Sequence, residues 1–95
     1  MAGYIVANIE ITDPARYKEY VQSSPASIAA YGGRFVVRGG KTEVLEGDWT
    51  PGRFVVIEFE SAERARQWWA SEEYRAPKAL RQSASISRMI VVERA

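Results

Sequence analysis

The side chains best suited to chemistry gather between Gly32 and Glu60, in GGRFVVRGGKTEVLEGDWTPGRFVVIEFE. Arg38 and Glu46 bracket the pair Gly39-Gly40, and Asp48 and Glu58 follow in the same stretch. An arginine fork binds carboxylates bidentately. A carboxylate in an apolar cavity has its pKa raised toward the range of acid/base work. Arg38 is therefore a candidate anion anchor, and Glu46 and Glu58 are candidate bases. Glycines between such charges let backbone come close to a bound molecule. The competing reading of Arg38 and Glu46 is an ion pair between strands that fixes register. Asn8, Trp49 and Tyr31 complete the candidate ligand contacts. Trp49 sits beside Asp48 in a turn, where an aromatic has no local structural duty. Asn8, Glu10 and Glu58 have a competing reading as polar groups of a subunit interface.

Two absences narrow the chemistry. The chain has no Cys and no His. It has no thiolate nucleophile, no Ser-His-Asp triad and no imidazole ligand. Proton transfer would fall to Asp, Glu, Tyr or Lys. Zinc is disfavoured, and no dense acidic cluster invites Mg²⁺, so neither metal nor cofactor is expected. A net charge of +1 gives no electrostatic case for nucleic acid or an anionic membrane. No apolar run reaches the roughly 20 residues of a membrane span, and no basic-then-apolar leader is visible, so a cytoplasmic protein is expected.

The elements that must position these groups follow from periodicity. A single domain over residues 1–95 is expected. At that length it buries only about two-thirds of its unfolded surface, so a second subunit would add stability. Tyr4 to Thr12 alternates, with Ile5, Ala7, Ile9 and Ile11 on one face and Tyr4, Val6, Asn8 and Glu10 on the other. Asp13-Pro14 reads as N-cap and first helical residue. Tyr17, Tyr20, Val21, Ser24, Ile28 and Tyr31 then form one helical face, with Pro25 expected to break or kink it and Gly32-Gly33 to end it. Arg34 to Arg38 is a strand. Gly39-Gly40 is either a hairpin turn or a bulge in a longer strand that resumes from Thr42 to Glu46; the bulge is favoured because it leaves four main strands. Arg53 to Glu60 is a strand, Ser61 and Ser71 cap helical segments, and Pro77 interrupts again. Trp68 and Trp69 lie at core spacing. Arg75, Lys78 and Arg81, at intervals of three, read as a solvated helix edge. Ile86 to Glu93 is the last strand.

The order βαββαβ predicts an α+β, ferredoxin-like fold: a four-stranded antiparallel sheet with two helices on one face. The other face, bearing Tyr4, Val6, Asn8, Glu10, Val36, Arg38, Phe54, Val56 and Glu58, has no helix to cover it. It is more apolar than a solvated sheet face. A homodimer interface on Tyr4, Val6, Val36, Phe54 and Val56 is expected.

The strings YIVANIEITDPARYKEY, YGGRFVVRGG, EVLEGDW, VVIEFES and WWASEEY…LR resemble, in order and spacing over nearly the whole chain, a small bacterial family known as domain of unknown function thirteen-thirty. That family resembles the dimeric α+β barrel superfamily, in which two ferredoxin-like subunits press their open sheet faces together. The resemblance implies a homodimer. The superfamily holds cofactor-free monooxygenases, isomerases, dehydratases, haem-handling proteins and plain ligand binders, and fold does not choose among them. The haem branch is disfavoured without an axial His. Three functions stay open: a dimer binding a small organic, possibly anionic, molecule between sheet and helices; a cofactor-independent monooxygenase or isomerase with Glu46 or Glu58 as base; and an interaction module without a ligand.

Overall fold

The computed structural model describes residues 1–95. Strand β1 (Gly3–Ile11) alternates as its sequence does: Ile5, Ala7 and Ile9 are buried, and Tyr4, Val6 and Asn8 between them are half-buried. Helix α1 (Pro14–Ala30) starts where Asp13 accepts a hydrogen bond from the Arg16 backbone N–H at 3.1 Å. Pro25 neither breaks nor divides it. The missing N–H and the ring strain cost about 3 kcal/mol, but Tyr17 and Tyr20 before the proline and Ser24, Ser27 and Ile28 around and after it are all buried. That packing holds the helix continuous. It ends at Gly32 in a left-handed conformation (φ 72°), with the Gly33 N–H bonded to the Ile28 carbonyl at 2.9 Å.

Strand β2 (Arg34–Arg38) contains a bulge where none was expected. Phe35 faces Ile57 of strand β3 (Arg53–Phe59), but the residue facing Val56 is Val37, so Val36 is the extra residue. Side-chain parity flips there. Phe35 and Arg38 both come to the helix side, which corrects the expected place of Arg38 on the open face. Val36 remains exposed. Gly39-Gly40 is accordingly neither the expected bulge nor a hairpin turn but opens the long connection, residues 39–52, that leads to β3. Gly39 has φ 69°, and its N–H bonds the Phe54 carbonyl at 2.8 Å. The strand expected from Thr42 to Glu46 does not form. Residues 41–50 find no neighbouring strand and are exposed throughout, including Leu45 and Trp49.

Ser61 caps helix α2 (Ala62–Trp69) and Ser71 caps helix α3 (Glu72–Ala84), each accepting a backbone N–H three residues on. Pro77 lies inside α3 without interrupting it. Strand β4 (Ser85–Glu93) follows with no loop. The sheet order is β2-β3-β1-β4, all antiparallel. All three helices lie on one face.

Trp68 is fully buried between Phe59 and Tyr74, with ring centroids 5.5 and 4.0 Å away, and its indole N–H donates to Ser27 Oγ at 3.1 Å. Trp69, expected in the core as well, is 42% exposed. Adjacent helical residues are turned about 100° apart, so only one of the two can point at the sheet. Arg81, expected on a solvated edge, is buried.

Candidate functional site

The inward faces of β2 and β3 and the face of α1 that carries Tyr17, Tyr20 and Ser24 leave a cavity lined also by Phe35, Arg38 and Arg53. Phe35 and Arg38 reach it through the Val36 bulge. Arg53 reaches it by plain parity, since it alternates with Val55 and Ile57 on the buried side of β3. The Arg38 guanidinium lies 4.2 Å from the Phe35 ring centroid, and that of Arg53 lies 5.8 Å from the Tyr17 ring centroid. Gly39 makes room for Arg53: a Cβ there would run into Nη1 and stand 2.6 Å from Cζ.

The electrostatics are one-sided. No carboxylate lines the cavity. The ion pairs of the protein are Arg34–Glu58 and Arg75–Glu72, so Arg38 and Arg53 have no acidic partner. Arg53 Nε is buried without any hydrogen-bond acceptor. An orphaned charged donor is costly, and it is the kind of group a bound anion would satisfy. Burial pushes the Tyr17 phenol above its ordinary value, and the charge of Arg53 beside it pulls part of the way back. Burial pushes Tyr20 up much further, helped by the neighbouring Tyr74. The Tyr20 and Tyr74 hydroxyls are 2.7 Å apart, and Arg81 Nε donates to Tyr74 Oη at 3.1 Å. With their values raised, Tyr17 and Tyr20 are neutral at physiological pH. The space is small: about 20 Å³ for the centre of a water-sized sphere, room for one water. A larger guest must displace the Arg38 side chain, which is exposed and held only by Phe35.

Of the residues singled out from the sequence, only Arg38 lines this cavity. Glu46 and Trp49 share a shallow hollow with Leu45 and Phe54 beside the exposed 41–50 segment. Arg38 and Glu46 form no ion pair, so the register-fixing alternative for them is removed. Glu58 is on the open face, where it accepts from Tyr4 Oη at 3.0 Å and Arg34 Nε at 2.8 Å. Those contacts, the tyrosine hydrogen bond first, hold its carboxyl below the usual range. A carboxylate so stabilised is a weak base. Asn8 Oδ1 accepts the Gly52 N–H at 2.8 Å and pins the chain leading into β3. Tyr31 donates to Glu73 at 2.9 Å and lies under Arg64, tying the end of α1 to both later helices. Tyr17, Tyr20 and Arg53 were missed as site residues. Arg53 was the readable one: a charge at the inward parity of an otherwise apolar strand face.

The fold and strand order are those of a ferredoxin-like α+β protein. The chain belongs to the family described as Domain of unknown function (DUF1330), whose model matches residues 2–95. Among curated proteins none matches. Among solved structures it is similar to RPA0582, a protein of unknown function from Rhodopseudomonas palustris, at 19% identity and a TM-score of 0.80, covering 99% of this chain and 82% of that one. It is also similar to SnoaB, a cofactor-independent oxygenase from Streptomyces nogalater, at 16% identity and a TM-score of 0.68, over 99% of this chain and 93% of that one. A dimeric ferredoxin-like protein of unknown function from Thermobifida fusca matches at 13% identity and a TM-score of 0.58, over 99% and 92%. At these identities the likeness is one of fold.

Proposed function

We propose that this protein is a cytoplasmic homodimer that binds a small anionic organic molecule, a carboxylate foremost, in the cavity between α1 and the sheet. The observation that carries the reading is the buried, unsatisfied Arg53 Nε beside a second arginine in a cavity without a carboxylate. Arg53 and Arg38 would share the anion, with the Tyr17 and Tyr20 hydroxyls as neutral donors. A charge-assisted hydrogen bond of this kind contributes about 1.5–3 kcal/mol. Base-catalysed turnover is the weaker reading, because Glu46 and Glu58 lie outside the cavity and its tyrosines are pushed toward the neutral form.

The homodimer half of the proposal rests on the open sheet face. Val6 stands between Val56 and Ile90, and Ile86, Ile90 and Val92 are all exposed there. An apolar sheet face of that extent is what a partner sheet would cover.

The test is a thermal-shift panel of aromatic and aliphatic carboxylates against their matched neutral amides. Carboxylates should raise the Tm of wild type, and both Arg53→Met and Arg38→Ala should weaken the shift. If no carboxylate outperforms its amide, or if both variants keep the full shift, the binding proposal is wrong.

A further inference from the structure

Arg81 is the one arginine buried in the fold, it has no counter-ion, and it opens to a different groove. It is 4% exposed, and its side chain makes one hydrogen bond, from Nε to Tyr74 Oη. No carboxylate pairs with it, and Tyr74 bonds onward to another tyrosine. A guanidinium taken this far out of water normally has an anion beside it. The remaining nitrogens are left to a groove of about 400 Å³ between α3 and β4, lined by Arg81, Gln82, Ser85 and Ser87, with Trp69 and Met89 at its inner side. The Ser85 hydroxyl donates to the Arg81 carbonyl at 2.6 Å and lies 2.7 Å from Ser87 Oγ, which fixes the start of β4 against the last turn of α3.

Trp69 and Met89 also border a second hollow of about 390 Å³, this one mostly apolar, bounded by Ile5, Ala70, Ile90 and Val91 with Arg66 as its one charged residue. The two hollows adjoin across Trp69 and Met89 as a trough along the β4 edge, with a buried cation and hydroxyls at one end and mainly aliphatic side chains at the other. No acidic residue lines either part. Trp69 stands between them, half out in solvent, one ring face covered by Lys78 Nζ at 3.8 Å from the centroid. Lys78 also bonds the Trp69 carbonyl at 2.9 Å, so the indole is held in place. An indole facing an open apolar trough beside a buried guanidinium suits a guest with one charged end and one hydrocarbon end.

We propose that this trough is a second binding site, for a monocarboxylate with an apolar body, the carboxylate on Arg81 and the hydrocarbon against Trp69 and Met89. It shares no arginine with the α1 cavity, though Met89 borders both, and it does not rest on the function proposed for that cavity. The chain has three tryptophans, so the ¹⁵N-labelled protein gives three indole N–H signals, of which Trp69→Phe identifies that of Trp69. Titration with octanoate should move the Trp69 signal saturably and leave the Trp49 signal in place. Octan-1-ol, with the same chain and no charge, should bind about tenfold or more weakly. Arg81→Met should remove the preference for octanoate over octanol. Should Arg81→Met fail to fold, Trp69→Ala, an exposed substitution, should still weaken octanoate binding, and added salt should weaken octanoate but not octanol. Arg53→Met and Arg38→Ala should leave the titration unchanged. The proposal is overturned if octanoate and octanol move Trp69 alike, if Arg53→Met abolishes the response, or if millimolar octanoate produces none.

Discussion

The α1 cavity depends on a single glycine, which allows its geometry to be tested without touching a charge. Gly39 has a positive φ, and a methyl group there would occupy the position of the Arg53 guanidinium. Two other glycines separate the effects. Gly32 has a positive φ with nothing within 4 Å of an added Cβ, and Gly40 has open space and no positive φ. Left-handed backbone costs a residue with a Cβ about 1–2 kcal/mol, and the stiffer unfolded chain returns about 0.4–1 kcal/mol. Gly40→Ala should therefore be neutral or slightly stabilising. Gly32→Ala should lose up to about 1.5 kcal/mol by the difference of those ranges. Gly39→Ala should lose a similar amount, because what it meets is the tip of a flexible side chain that can swing out to water. Urea unfolding midpoints compare the three. The discriminating measurement is not stability. With Arg53 displaced, the Tyr17 phenol loses the positive charge that restrains its upward shift, so its pKa should rise further in Gly39→Ala and in neither control. Ultraviolet titration of the phenolate, read against Tyr17→Phe, reports this without a ligand. Carboxylate binding should fall by about tenfold or more, the loss of one charge-assisted hydrogen bond. If Gly39→Ala leaves both the Tyr17 titration and carboxylate binding as they are in Gly32→Ala, Arg53 does not hold the cavity as argued.

The other predictions are briefer. Trp68→Ala should cost about 3–5 kcal/mol in urea unfolding, whereas Trp69→Ala should cost under about 1 kcal/mol; equal costs would contradict the division between buried and exposed indoles. Val56→Asp, in the middle of the uncovered sheet face, should shift sedimentation from dimer to monomer, and an unchanged dimer would place the interface elsewhere. The carboxyl of Glu58 is held below its ordinary value, so its contribution is present above the unfolded-state pKa, about 4.3, and is lost as pH falls toward the lower folded value. Glu58→Gln should therefore flatten the acid limb of the stability profile, and an unaltered limb would show that Tyr4 and Arg34 add nothing there. Tyr17 and Tyr20 have raised folded values, so stability should hold below pH 10.0, their ordinary value, and fall above it as the unfolded phenols ionise first; Tyr20→Phe should shrink that fall in alkaline urea titrations.

The architecture was legible because it rests on periodicity. The alternation in Tyr4–Thr12, the Asp13-Pro14 start and the Ser61 and Ser71 caps each use contacts within a few residues, and each stands where the sequence placed it. What was misjudged depended on tertiary context. Pro25 and Pro77 carry a local penalty that helices packed against a sheet can absorb. The segment from Thr42 to Glu46 has strand-forming residues but no neighbour to pair with, and pairing makes a strand. Arg81 fell in a helical row with Arg75 and Lys78, and row spacing alone does not say which end of α3 the sheet covers.

The site was half legible for a single reason, the position of one extra residue. Arg38 was picked out as an anion anchor on chemical grounds, then assigned by alternation to the face where it does not lie. A bulge displaced by a few residues is invisible to composition, since valine does not announce one as glycine does. Its consequence is large. Were Arg34 to Arg38 paired regularly, with Val36 facing Val56 instead of bulging, Arg38 would stand opposite Phe54 on the open face, and the α1 cavity would keep only Arg53. With the bulge, two unpaired guanidiniums face one cavity, and the open face is left with Val36 and Val37, both exposed and both apolar. The bulged pairing thus serves both halves of the proposed function, by turning a charge off the surface that would meet a partner sheet and into the space that would meet a ligand. Deleting Val36 should give a regular strand in which Phe35 still faces Ile57, Val37 still faces Val56 and Arg38 still faces Val55, so carboxylate binding should persist and still depend on Arg38. A deletion variant that folds but no longer prefers carboxylates to amides through Arg38 would show that the register of β2 does not set the position of that arginine.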